Sequence, residues 1–123
     1  MLALAACAAC AGRPAADDQG FHFAVQAARA DAEVTFHAQV RNEPAATRGH
    51  ERMILGAETG EELELDHNTE LAPWVPAHRG DRLVVHGRLY VDRGRIGVHC
   101  THSHTSAGCP EPGWVELGQA FYE

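Results

Sequence analysis

The sequence predicts a mainly β fold: a small antiparallel OB-like barrel of five or six strands with one short N-terminal helix. Three observations predict it. Two hairpin signals, Glu58-Thr59-Gly60 and Asp92-Arg93-Gly94, each stand between runs that alternate apolar and polar residues. A third alternating run, at 34–41, precedes them. The chain is 123 residues, 45% hydrophobic and 22% charged, which suffices for one compact core and not for two. Short strands in so short a chain favour closure into a barrel.

The elements follow in order. Residues 1–11, MLALAACAACA, are apolar or small throughout, as in the hydrophobic stretch and cleavage site of a secretory signal. Leu4-Ala5-Ala6-Cys7 resembles a bacterial lipobox, in which Cys7 would be lipidated. A redox reading of Cys7-Ala8-Ala9-Cys10 would need a βαβ unit behind it, and no such pattern follows. Residues 12–20 are small and polar, as in a tether, and 21–123 form the domain. An Ala-rich stretch, Phe21 to Ala30, is the one helix. In the next run Val34, Phe36, Ala38 and Val40 share a face, with Thr35, His37, Gln39 and Arg41 on the other. The first hairpin turn pairs Ala57 with Glu61, so Met53 faces Leu65 and Leu55 faces Leu63, giving one apolar face. Pro73 and Pro76 exclude a long helix between the hairpins. A three-residue second turn would pair Val91 with Arg95, and 114–122 would supply a closing strand.

All ten basic residues are arginine, against 17 acidic ones, for a formal net charge of -7. Such a chain is a poor partner for a phosphate backbone, so no nucleic-acid partner is expected. No apolar run approaches the roughly 20 residues of a membrane span, and membrane contact is expected only through an N-terminal lipid anchor. Nine histidines are the unusual feature of the composition.

Several ordered motifs point to a family: Gly49-His50-Glu51-Arg52-Met53, His67-Asn68-Thr69-Glu70-Leu71-Ala72-Pro73, Gly80-Asp81, Gly87-Arg88-Leu89-Tyr90, His99-Cys100-Thr101-His102 and Gly113-Trp114. Over roughly 34–122 the chain resembles a family of small exported bacterial proteins, the domain of unknown function 3465. The resemblance implies export and a small β-rich domain, and it supplies no reaction. Against the family pattern, Met53 replaces Phe, Glu70 replaces Asp and Trp74 replaces Arg. Cys100, Ser103 and His104 replace Trp, His and Asp, and Cys109 falls near a family His. Two cysteines thus stand where the family has none. They would form a Cys100–Cys109 disulfide in an oxidising compartment, or Cys109 would offer a metal thiolate in place of an imidazole.

The hairpin registers place the chemistry. Glu51 opposes His67 on the apolar face and His50 opposes Asn68 on the polar face. The expected second register sets His99 opposite Gly87, pointing inward with room above the glycine. In one reading His67 and His99 are buried, neutral and hydrogen-bonded, with Glu51 or Thr101 as partners. In the other, His67, His99 and a third ligand, Glu51 or His102, hold zinc with a bound water, and Glu51 is the candidate general base. His102 and His104 are a weaker chelating pair, set against a solvated cluster. His22, His37, His78 and His86 read as surface residues. Arg48, Arg52 and Arg79 would form an anion site near His50, or would pair with Glu51, Asp66 and Asp81. Trp74 and Tyr90 would form a stacking platform, or pack. No Ser-His-Asp order, phosphate loop or H-E-x-x-H occurs.

The functional expectation is a periplasmic or outer-membrane-anchored lipoprotein that binds a small ligand or an envelope partner. Its polar face would comprise His50, Arg52, His67, Asn68, His99 and His102. The alternative is a zinc-type hydrolase built on His67, His99 and His102. A third possibility is a structural envelope protein without a small-molecule site.

Overall fold

Alternation of apolar and polar residues builds the main strands, and turn chemistry sets how they pair. A computed structural model of the protein describes residues 12–123. The export and lipidation readings, with Cys7 and Cys10, lie outside the described residues. Helix α1 spans Asp18–Gln26 and is followed by eight strands: β1 Glu33–Val40, β2 Ala45–Thr47, β3 His50–Ala57, β4 Glu62–Asn68, β5 Arg82–Asp92, β6 Arg95–His99, β7 Trp114–Leu117 and β8 Ala120–Tyr122.

Five of these strands close a barrel. The neighbours run β1-β3-β4-β6-β5, and β5 pairs back with β1. The pairings are antiparallel except β4 with β6, where Glu64 and Leu65 run parallel to Gly97 and Val98. β5 is eleven residues long, so it pairs with β1 along Arg82–Arg88 and with β6 along Arg88–Asp92. The expected closing strand at 114–122 is instead a short ribbon, β7–β8, laid along the outer edge of β5. β2 is a three-residue appendage on β3.

Inside the ring, Phe36, Leu55, Leu65, Val85, Leu89 and Val98 are fully buried. Phe21 of α1 stacks on Phe36 with ring centroids 4.1 Å apart. Burying such a side chain contributes about 2–3 kcal/mol. The helix lies earlier than its Ala content suggests. Asp17 caps it by accepting the Gly20 N–H at 2.9 Å, and the left-handed backbone of Ala28 (φ 48°) ends it before Ala30. Residues 13–20 are therefore part of the fold: Arg13 pairs with Glu123, and the Asp17 N–H donates to the Thr35 carbonyl.

The first hairpin has the expected register, from Gly56↔Glu62 to His50↔Asn68, with Gly60 left-handed (φ 101°). The second is shifted by one residue. Arg93 and Gly94 both have positive φ (51° and 78°), which makes a two-residue type I′ turn and pairs Asp92 with Arg95. A shift of one flips every side chain. Val98 therefore meets Leu89 inside, and His99 opposes Arg88 on the outside, not Gly87 within. The space over Gly87 is filled by the backbone of His99 and by Thr101, not by an imidazole.

Candidate functional site

Glu51 and His67 do face one another across β3 and β4, and both are fully buried. Their partners come from the loop between β4 and β5 and from Thr101, just past β6. His67 Nε2–H donates to the Pro73 carbonyl at 2.8 Å, so Nδ1 is the acceptor for the Thr101 hydroxyl at 2.7 Å. Burial, ahead of all other causes, holds the His67 pKa below its ordinary value. Glu51 Oε1 accepts the Val75 N–H at 2.7 Å, while Oε2 is buried without a hydrogen-bond partner. Burial lifts this carboxyl to about 7, against the partial counter-effect of the Val75 bond. The pair thus latches a loop whose Val75 is fully buried in the apolar core. A carboxyl sealed in this way cannot serve as a general base toward a substrate arriving from solvent.

The expected zinc ligands are not brought together. Both His67 ring nitrogens are engaged, so no lone pair remains for an ion. His99 lies on the opposite side of the barrel wall, edge-on to Tyr90 at 5.5 Å. Its pKa is lowered by burial and then by Arg88. His102 is buried beyond β6, where Nδ1–H donates to the His104 carbonyl at 2.7 Å. Cys100 and Cys109 form a disulfide (Cα–Cα 5.4 Å), which leaves no thiolate at Cys109 for a metal.

The outer wall is different. Strand parity puts His50, Arg52 and Asn68 outside, and the shifted second hairpin adds Tyr90 and His99. Here β3, β4, β5 and β6 form a groove of ≈ 630 Å³. Its floor is a polar network. Arg52 Nε donates to Asp66 Oδ1 at 2.8 Å and lies 3.5 Å from Glu64 Oε1. The Tyr90 hydroxyl lies 2.6 Å from Asp66 Oδ2 and 2.9 Å from Glu64 Oε2, sharing its one proton between them. Burial, followed by these bonds, pushes the Tyr90 pKa up. Ile54 and Ile96 supply apolar walls, and Glu62, Asp92 and Arg95 complete the lining. Gly97 makes room for the Tyr90 ring, since a Cβ there would overlap it.

Arg52 is neutralised within the floor by Asp66 and Glu64, and Arg79 offers its backbone N–H to Glu43. Arg52 is therefore satisfied internally and offers no free guanidinium to an anion. Trp74 is exposed and does not line the groove that Tyr90 lines, so the two do not form one stacking platform there.

His22, His37 and His78 are at least partly exposed and face Glu61, Asp18 and Glu43. His86 is not a surface residue. It points outward from β5, yet β7 covers it, and its ring stacks on Trp114 at 4.5 Å and 14°. Burial lowers its pKa. Among the described residues, the group of histidine and acidic side chains close enough to share an ion is Glu33, His86 and Glu111. Their ligand atoms all lie within 4.8 Å of one another. Burial, then the charge of Glu111, raises the Glu33 carboxyl to about 7, opposed by Arg88. No local pattern announces this group. The one clue is Trp114, a large apolar side chain in an outer strand that needs something to cover.

The family model described as a protein of unknown function (DUF3465) matches residues 2–123. No curated protein and no solved structure matches the chain.

Proposed function

The chain belongs to the DUF3465 family, whose function is unknown, and from that premise we propose that it is an exported binding module of the cell envelope. Its ligand is a small amine-bearing molecule held in the groove over Arg52, Glu64, Asp66 and Tyr90. The groove's charge balance carries the reading. Four carboxylates, Glu62, Glu64, Asp66 and Asp92, line it against two guanidinium groups, Arg52 and Arg95, a balance of −2 within ≈ 630 Å³. That volume suits a small-molecule site, and the excess of acceptors attracts a protonated amine. The Arg52–Asp66–Tyr90 bonds hold the carboxylates in place before a ligand arrives, which lowers the ordering cost of binding. Export is supported by the apolar 1–11 segment and by the Cys100–Cys109 disulfide, a bond favoured in oxidising compartments.

Amide NMR with spermidine as probe, and glutarate as its charge-reversed counterpart, tests this function. Spermidine is expected to shift Asp66, Tyr90 and Ile96 at sub-millimolar concentration and low salt. Asp66→Asn should weaken it at least fivefold while the rest of the spectrum stays folded. Shifts confined to other surfaces, or tighter binding of glutarate, would refute the proposal.

A further inference from the structure

We propose that Glu33, His86 and Glu111 form a binding site for one zinc-type divalent cation on the outer face of β1 and β5, away from the groove.

The site is built around a fixed imidazole. The His86 side chain is only 5% exposed. It is clamped between Trp114, stacked on its face, and Thr35, whose Oγ1 lies 2.7 Å from Nδ1. With Nδ1–H donating to Thr35, the lone pair of Nε2 points outward. Such a partner on the second nitrogen is what orients a histidine ligand toward a metal. Nε2 makes no hydrogen bond of its own and lies 3.7 Å from Glu33 Oε2, too far for one.

Glu33 supplies the second, independent observation. Both of its carboxylate oxygens are closed off from water and neither accepts a hydrogen bond. A sealed carboxyl without donors either keeps its proton or takes a counter-ion, and a divalent cation would compete with that proton. Arg88, its cross-strand neighbour, does not bond to it. The guanidinium instead donates from Nη1 to the Gly108 carbonyl at 2.7 Å, and Nε lies 3.4 Å from Asp31. Glu111 closes the constellation from an exposed position two residues past Cys109. Ligand atoms sharing a tetrahedral ion at about 2.0–2.2 Å lie roughly 3.4 Å apart. The present group needs to close by little more than about an ångström, and Glu111, on an exposed loop, can supply that movement. Two carboxylates and a neutral imidazole balance the charge of a divalent ion. One nitrogen with two oxygens suits zinc better than calcium or magnesium, which favour all-oxygen shells. The Cys100–Cys109 bond tethers the loop that carries Glu111, so the site depends on the oxidised chain.

Zinc chloride titrated into the oxidised full-length chain tests the proposal, by calorimetry and by the imidazole ¹⁵N shifts. Cys7 and Cys10 are changed to Ser so that they do not chelate the probe. One zinc per chain at micromolar affinity is expected, with the His86 Nε2 resonance moving. Glu111→Gln and Glu33→Gln should each weaken binding at least tenfold, and His104→Ala should leave it unchanged. Glu111 is exposed, so its variant keeps the fold whatever happens at Glu33. No binding tighter than 100 µM, or Glu111→Gln and Glu33→Gln both within twofold of the parent, would overturn the proposal. Retained spermidine binding in both variants would show the groove to be independent of this site.

Discussion

Replacing Glu51 by glutamine should make the protein more stable at neutral pH and about 1 kcal/mol less stable in acid. The buried carboxyl is lifted from 4.5 to about 7 because the charged form is desolvated, and only Oε1 receives a donor, from Val75. The folded state therefore holds this proton more tightly than the unfolded chain does. The sign follows from linkage: stability from the protonated form is fully present below pH 4.5 and is lost as pH rises through about 7. At about 1.4 kcal/mol per pH unit, the loss is roughly 3 kcal/mol. Glutamine keeps an oxygen for the Val75 N–H and cannot ionise. Its second position is an N–H₂ where Oε2 has no partner, which subtracts about 1 kcal/mol at every pH. The diagnostic is thus the slope and not the offset. Urea unfolding at several pH values from 5 to 8, followed by tryptophan fluorescence, measures it. The variant should gain on the parent by roughly 2 kcal/mol across that range. His67, whose lowered pKa favours the fold at higher pH, is present in both proteins and largely cancels. A difference between the two proteins that stays constant from pH 5 to 8 would refute the reasoning.

Three further outcomes are expected. His67→Ala should cost about 3–5 kcal/mol, because it leaves a cavity and strips Pro73 and Thr101 of a shared partner. Hydrogen exchange at Val75 should accelerate with it. Reducing the Cys100–Cys109 bond, which spans a sequence separation of 9, should cost about 3 kcal/mol in the chain-entropy account. Calorimetry should then show Tm falling by roughly 10 °C. Gly97→Ala should displace the Tyr90 ring from Asp66 and Glu64 at about 1–3 kcal/mol. Ultraviolet titration should show the Tyr90 hydroxyl ionising at lower pH than in the parent.

Much of the barrel is legible in the residues because its signals are local. The 34–41 alternation is β1, and the apolar pairs Met53–Leu65 and Leu55–Leu63 agree with the turn at Gly60. That agreement also placed Glu51 against His67. What those two groups hold was not legible, since Pro73 and Val75 reach them through a loop without periodicity. The second turn shows the limit of local reading. Asp92-Arg93-Gly94 admits a two- or a three-residue loop, and only the pairing of Val98 with Leu89 in the closed barrel selects between them. That one residue sent His99 outside and dissolved the expected ligand set.

The sequence alone determined the β-rich class, the first hairpin and its register, and the net negative charge, because alternation, turn residues and composition act over short range. Tertiary structure decided the parallel β4–β6 pairing that closes the ring and the outward turn of His99. It also decided the burial of His86 under Trp114 and the meeting of Glu33 with Glu111. These depend on which distant strand lies beside β5, and a side chain's outward parity says nothing about whether another element covers it.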